Sequence, residues 1–382
     1  MRIALYRRAP ELGPRILFFS GGSALRKPCR KLKRYTHNSI HLMTPFDSGG
    51  SSAQLRKAFG MLSVGDLRNR LLSLADETVR GNPEIYALFS HRLPADGEPR
   101  ELSADLDSMV LAEHPLVTSV PQPLRQIVRT HLRHFVQRMP VDFDLRRASI
   151  GNLILAGGYL ANDRHIDSVA FLFSKLVEVR GLVRPVVEAD LHLCAELTDG
   201  RRIVGQHRLT GKHESPITSP VSDLYLVESL DTPSRVEVEA PEKTRALVRD
   251  AELICFPMGS FYSSLIANLL PRGLGRAIAE AECPKLYVPN MGSDPEQLGM
   301  SLDQAVARLI EAVRRDAGEE TPVERILNLV LVDTARGRYA SPLDTRRIEE
   351  LGVEVLDLAL VGEGGWPWID ADYLVEALLS LA

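Results

Sequence analysis

The segment Asp47-Ser48-Gly49-Gly50-Ser51-Ser52 puts one carboxylate, three hydroxyls and two glycines into six positions and offers no apolar side chain to a core. Glycine lets the backbone turn with positive φ and bring its N–H groups close to a ligand, and serine hydroxyls add donors. A helical pattern (Gln54, Leu55, Arg56, Ala58, Phe59) starts at once, so the loop sits at the positive end of a helix. That chemistry suits a phosphate or diphosphate. The plainer reading is a Ser/Gly surface turn followed by a capped helix. Gly65-Asp66-Leu67-Arg68-Asn69 is a second polar group and opens an amphipathic helix through Leu71, Leu72 and Leu74. Gly21-Gly22-Ser23 and the stretch Gly259-Ser260-Phe261-Tyr262-Ser263-Ser264 repeat the glycine-and-hydroxyl equipment before a helix. Three such loops at one edge of a sheet predict a shared crevice for an anionic ligand. Asp47 is the acid inside it. Beside phosphates such an acid holds Mg²⁺ or accepts a proton; its alternative is an Asx-type turn cap. No Walker A, GxGxxG, GxSxG or HExxH pattern occurs. His131 and His134 lie near each other on a helix, but without a third ligand they read as solvated or structural.

The elements that position these loops alternate. Residues 15–20 are a short apolar run between Pro14 and Gly21-Gly22, which reads as a buried strand. A basic helix follows over 24–34, with Pro28 tolerable only near its first turn. Residues 39–43 form a second strand that ends on the serine/glycine loop. Strand, glycine turn, helix, strand opens a parallel α/β sheet, whose ligands bind at the carboxyl ends of strands. Residues 77–148 read as mostly helical, clearest over 124–139, and another helix with small residues begins at 149. Short alternating runs over 183–240 predict an antiparallel meander. The strand–helix pattern returns with strands at 251–256, 285–288, 326–332 and 353–358, and a closing helix at 373–381. The expected fold is a Rossmann-like, doubly wound, mostly parallel α/β sheet in three layers. Residues 1–14 are expected to be a lead, and 15–382 a single domain elaborated by the meander.

Bulk properties narrow the partners. The chain has 382 residues, 45% hydrophobic and 25% charged, enough for a sizeable core. Its net charge is −4, so no global positive field draws nucleic acid or an anionic membrane, and neither is expected as a partner. Four scattered cysteines (Cys29, Cys194, Cys255, Cys283) read as free thiols in a reducing compartment. No run reaches the roughly 18 apolar residues of a membrane span, and the first residues lack the apolar core of a signal peptide. The expected location is cytoplasmic.

The same motifs resemble the CofD family, 2-phospho-L-lactate transferases of deazaflavin cofactor biosynthesis. Gly21-Gly22-Ser23 with Lys27, Arg30 and Leu32 is similar to its opening glycine motif. Residues 47–52 with Leu55-Arg56 resemble the DDGGSS…LR element of the YvcK-like branch. Gly65-Asp66-Leu67-Arg68-Asn69 with Leu74-Ala75-Asp76 is similar to PGDIRN…LxD, and Gly151-Asn152-Leu153 to a GN element. Residues 257–264 with Asn268-Leu269-Leu270 resemble GPGSLYTS…NLL. The departures are Ser48 for the second aspartate, Ala24 for a glycine and Pro257-Met258 for Gly-Pro. The resemblance implies a nucleotide-linked small molecule as ligand, a deazaflavin-like acceptor, Mg²⁺ and a homodimer. It implies catalytic roles for Asp47 and Asp66, with Asp47 on the metal. Phosphate and nucleotide binding would fall to Gly21, Gly22, Ser23, Lys27, Ser48, Gly49, Gly50, Ser51, Ser52, Arg56, Arg68, Asn69, Asn152, Gly259, Ser260, Tyr262, Ser264 and Asn268. Two activities stay open: transfer of a phospho-acyl group to an acceptor hydroxyl, or nucleotide-sugar or dinucleotide binding that regulates carbon metabolism or cell-wall synthesis.

Overall fold

A computed structural model describes residues 2–78, 81–211 and 216–382. The expected helical stretch 77–148 and the expected meander therefore each include a few positions (79–80 and 212–215) outside the described residues. The chain divides into two compact units: residues 1–44, 185–187 and 191–382 in the first, and 45–184 with 188–190 in the second.

The first unit is built on the near-continuous apolar runs of the sequence, which suit strands covered on both faces. Its main strands are β1 (Ile16–Ser20), β2 (Ile40–Met43), β3 (Leu182–Pro185, whose last residue falls in this unit), β8 (Leu253–Phe256), β9 (Lys285–Tyr287), β10 (Leu329–Val332) and β11 (Glu354–Asp357). They lie in the order β11-β10-β9-β8-β1-β2-β3. The pairs β1–β2, β1–β8, β8–β9, β9–β10 and β10–β11 are parallel. Register puts Leu17 opposite both Ile40 and Ile254. Aromatic stacking ties neighbouring strands: Phe18 on His41 at 4.9 Å between ring centres, Phe19 on Phe256 at 5.6 Å. Strand order reverses between β1 and β8, which makes the crevice beyond their carboxyl ends the topological switch point.

The expected meander is a separate antiparallel sheet, β5-β4-β6-β7, made of β4 (His192–Leu197), β5 (Arg202–Val204), β6 (Val221–Val227) and β7 (Arg235–Val236). Cys194, Tyr225 and Val227 form its own small core. No disulfide forms among the described residues, and Cys29, Cys194 and Cys255 are buried.

The second unit is helical and is inserted in the sequence between β2 and β3. The helix Ile150–Ala161 is apolar nearly all round and lies buried at its centre, packed on the helix Leu124–Arg138. Gly157 and Gly158 permit that approach, since a Cβ on Gly158 would stand 2.9 Å from His131 Nδ1. His131 is buried against Phe173 at 5.6 Å. Burial, with the charge of His134 added, pulls its pKa down to about 4. It is a neutral packing residue. Among the described residues no helix is long and apolar enough to cross a membrane.

Candidate functional site

In the first unit, Gly21-Gly22-Ser23 follows β1 and the 259–264 loop follows β8, so both flank the switch point. They meet there: the Cβ that Gly259 lacks would be 3.8 Å from the Ala24 methyl. Space is open around Gly22, where an added Cβ would meet nothing within 4 Å. Ala24 takes none of the positive φ angles its family glycine could adopt, so the replacement is compatible with this turn. Ser23 and Lys27 are exposed beside it, Lys27 in the first turn of the helix Arg26–Leu32. Asn268 ties the turn after β8 to the end of β1, donating from Nδ2 to Ser20 O at 3.1 Å and Ser264 O at 2.7 Å.

The 259–264 loop differs from expectation in one respect. It opens a single π-helical turn, Phe261–Leu265, and then a 3₁₀ turn, Ile266–Leu269, instead of an α-helix. Its amides already serve the protein's own carboxylates. Asp294 Oδ2 accepts from Phe261 N at 2.8 Å. Glu296 accepts from Tyr262 N at 2.9 Å, from Ser263 N at 2.8 Å and from Ser263 Oγ at 2.5 Å. Asn290 pairs both ways with Gly259, accepting at 3.0 Å and donating at 2.6 Å. Burial, and then the charge of Asp294, raise the Glu296 pKa to about 7. Tyr262 is itself buried, its hydroxyl donating to Val221 O at 3.4 Å, so it is a packing residue and not a ligand contact. Of this loop, Gly259, Ser260 and Ser264 keep part of their surface. Asn290, Asp294 and Glu296 escaped the sequence reading. Their only local signal was an Asp-Pro-Glu start typical of a helix N-terminus.

In the second unit the N-termini of three helices, Gly50–Phe59, Gly65–Leu74 and Ile150–Ala161, converge. Ser149 N donates to Ser51 Oγ at 3.4 Å, joining the first to the third. Arg68 Nη1 donates to Ser149 Oγ, joining the second to the third, and Arg68 Nη2 donates to Asn69 Oδ1 at 2.6 Å. Two glycines are what allow this closeness. A Cβ on Gly65 would run into Ser52 Oγ and stand 3.3 Å from Asp47 Oδ2; one on Gly151 would lie 2.8 Å from Arg68 Cδ. Gly50 carries φ +50°, which only glycine holds without strain. Asp47 caps its own loop, Oδ1 accepting from Gly49 N at 3.0 Å, while Oδ2 faces Gly65. Asp66 stands in the first turn of its helix, half-buried, and Ser48 and Ser52 are buried. Asn152 is 2% exposed, and its buried Oδ1 has no hydrogen-bond partner, an uncommon cost. Three positive helix ends around one carboxylate and several hydroxyls make an anion-binding environment.

Arg56 needs a correction. The sequence casts it as a phosphate contact, yet its side chain is only 3% exposed. Its Nε and Nη2 donate to Asp190 Oδ1 at 3.0 and 2.7 Å, and its Nη1 donates to the carbonyls of Phe46 and Asp47 at 3.2 and 3.3 Å. It holds the backbone that carries Asp47. Asp190, its partner 134 positions along the chain, gave no signal in sequence. Among the described residues no three of His, Cys, Asp and Glu gather around a common point. A Mg²⁺ arriving with ligand phosphates would find Asp47 as the carboxylate of this loop to hold it.

Comparison with known proteins agrees with this architecture. The chain is 29% identical over 364 residues to a putative gluconeogenesis factor of Nostoc, covering 93% of this chain and 65% of the Nostoc protein. It is 26% identical over 382 residues to the gluconeogenesis factor of Listeria monocytogenes, covering 97% and 96% of the two chains. A crystal structure of a UPF0052 family member from Bacillus halodurans superimposes with a TM-score of 0.69 at 22% identity, over 96% of this chain and 99% of that one. The family model described as 2-phospho-L-lactate transferase CofD matches residues 16–361. The chain belongs to the CofD family.

Proposed function

We propose that this protein binds a nucleotide-diphosphate-linked ligand and transfers a phospho-acyl group from it to an acceptor hydroxyl. The observation that supports it best is the junction of three helix N-termini on Asp47, packed so closely that Gly65 has no room for a side chain. In that junction Ser51, Ser52 and the amide of Gly50 take phosphate oxygens, and Asn152 Oδ1 accepts from a ligand hydroxyl or N–H. Asp47 Oδ2 receives the proton of the attacking hydroxyl as its oxygen bonds to phosphorus. The bridging P–O bond breaks, and a nucleoside monophosphate leaves with the electron pair. Asp66, Arg68 and Asn69 orient this group. In the first unit, Gly21, Gly22, Ser23, Lys27, Gly259, Ser260 and Ser264 supply donors at the switch point. Where Mg²⁺ accompanies the phosphates, Asp47 would hold it instead of taking the proton, and the ion would neutralise developing charge.

The test has two stages. Thermal shift against nucleoside diphosphates, nucleotide sugars, dinucleotides and a deazaflavin should find a stabilising phosphate compound. Ligand at 100 times its Kd adds about 2.7 kcal/mol. Release of nucleoside monophosphate is then followed for wild type and Asp47→Asn. The variant should keep its melting temperature and bind nucleotide with a modest change, but turn over ~10²-fold more slowly or worse. A screen without any phosphate-dependent shift sinks the ligand class, and full turnover by Asp47→Asn sinks the catalytic role. Ser48, in place of the family's second aspartate, favours a second reading in which the ligand is bound for regulation. Binding with no nucleoside monophosphate released would establish that reading instead.

A further inference from the structure

The net charge of −4 conceals a segregation. The first 37 residues hold ten Lys and Arg against a single Glu, so the rest of the chain is strongly acidic. The fold gathers these basic residues on one unit. The helices Arg2–Arg8 and Arg26–Leu32 both pack on the helix Ala371–Leu381, and Arg2 Nη1 donates to Ala382 O at 3.3 Å. His37 N donates to Pro10 O at 2.9 Å and Asn38 Nδ2 to Glu11 O at 2.9 Å, which holds the 10–13 turn against the segment behind Arg34. Arg7, Arg8 and Arg34 are exposed and have no ion-pair partner among the described residues. Two leucines of the same N-terminal stretch are exposed as well, Leu5 at 51% and Leu12 at 64%. Helical spacing sets Leu5 between Arg2 and Arg8 on the outward side of a helix that buries nothing completely.

We propose that this face docks on an anionic lipid bilayer, independently of the ligand site. Arginines around exposed leucines match a headgroup boundary, where cations meet lipid phosphates and apolar side chains enter the acyl edge. A nucleic acid would satisfy the arginines but leave both leucines in water. The acidic remainder of the chain is repelled by the same surface, so attachment is oriented with the basic face inward. Attachment is peripheral and reversible, because two leucines are far short of an anchor.

The test is co-sedimentation of the full chain with vesicles of phosphatidylcholine alone or with about one-third phosphatidylglycerol. Wild type should bind the anionic vesicles at least ~10-fold better, and salt at several times the physiological level should abolish the preference. Each arginine near such a surface is worth roughly fivefold, so Arg7→Glu/Arg8→Glu/Arg34→Glu should lose ~10²-fold or more. Leu5→Ser/Leu12→Ser should weaken binding while keeping the anionic preference. Melting temperatures of both variants should match wild type, since every altered side chain is exposed. The proposal is overturned by equal binding to both vesicle types, by no binding to either, or by reversal variants that still sediment. It is also overturned if a labelled DNA duplex binds more tightly than the anionic vesicles.

Discussion

Arg56 donates to two backbone carbonyls and one carboxylate from inside the protein, a geometry that ties the position of Asp47 to a residue 134 positions further on. Arg56→Lys keeps the charge but loses the fork that reaches both partners. It should lower the urea unfolding free energy by about 1 to 3 kcal/mol, as for a buried charged hydrogen bond. Nucleotide affinity per folded molecule should fall only slightly. A sharp loss of affinity at unchanged stability would return Arg56 to the phosphate. Gly50→Ala should cost about 1 to 2 kcal/mol from its left-handed backbone alone; an unchanged unfolding midpoint would contradict that. At this scale the sequence was legible where chemistry is local. The 47–52 loop leads straight into a helix, Gly50–Phe59, as its local pattern predicted. The tasks of Arg56 and Tyr262 were illegible, because their partners Asp190 and Val221 lie far away in sequence.

The π-helical turn Phe261–Leu265 owes its shape to carboxylates that arrive from residues 294 and 296. Glu296 has its pKa raised to about 7 from an ordinary value of 4.5, because burial and Asp294 oppose its ionisation. A carboxyl raised in the fold contributes stability that is fully present below about 4.5 and is lost as pH rises through about 7. Wild-type unfolding free energy should therefore fall between pH 5 and 7 with a slope of up to about 1.4 kcal/mol per unit from this group. Glu296→Gln cannot ionise and should flatten that window in urea titrations at a series of pH values. An unchanged pH profile would show that Glu296 is ionised throughout. Strands were the most readable elements, since buried parallel strands are apolar on both faces. The helix expected after β8 is a π-helical and then a 3₁₀ turn, a form that its pattern of small and apolar residues does not specify.

The division of the chain at Thr44 and Pro45 falls beside the serine/glycine loop 47–52, which reads as a ligand loop and not as a linker between domains. That is why the sequence suggested one continuous domain, whereas a whole helical unit sits between two sheet strands. The charge segregation was equally invisible in the total, because two opposite excesses nearly cancel. The insertion also bears on how a new chain is made. Leu17 of β1 pairs with Ile254 of β8, 237 residues later. Synthesis at about 5 to 20 residues per second leaves β1 waiting roughly 10 to 50 s for that neighbour. The helical insert, dominated by local contacts, is of the class that forms faster than a sheet of distant strands. From the completion of the helical insert at residue 190 until β8 begins at residue 253, the nascent protein carries an unfinished sheet whose apolar central strand has one open edge. Such an edge invites holding chaperones and premature association until β8 emerges to close it.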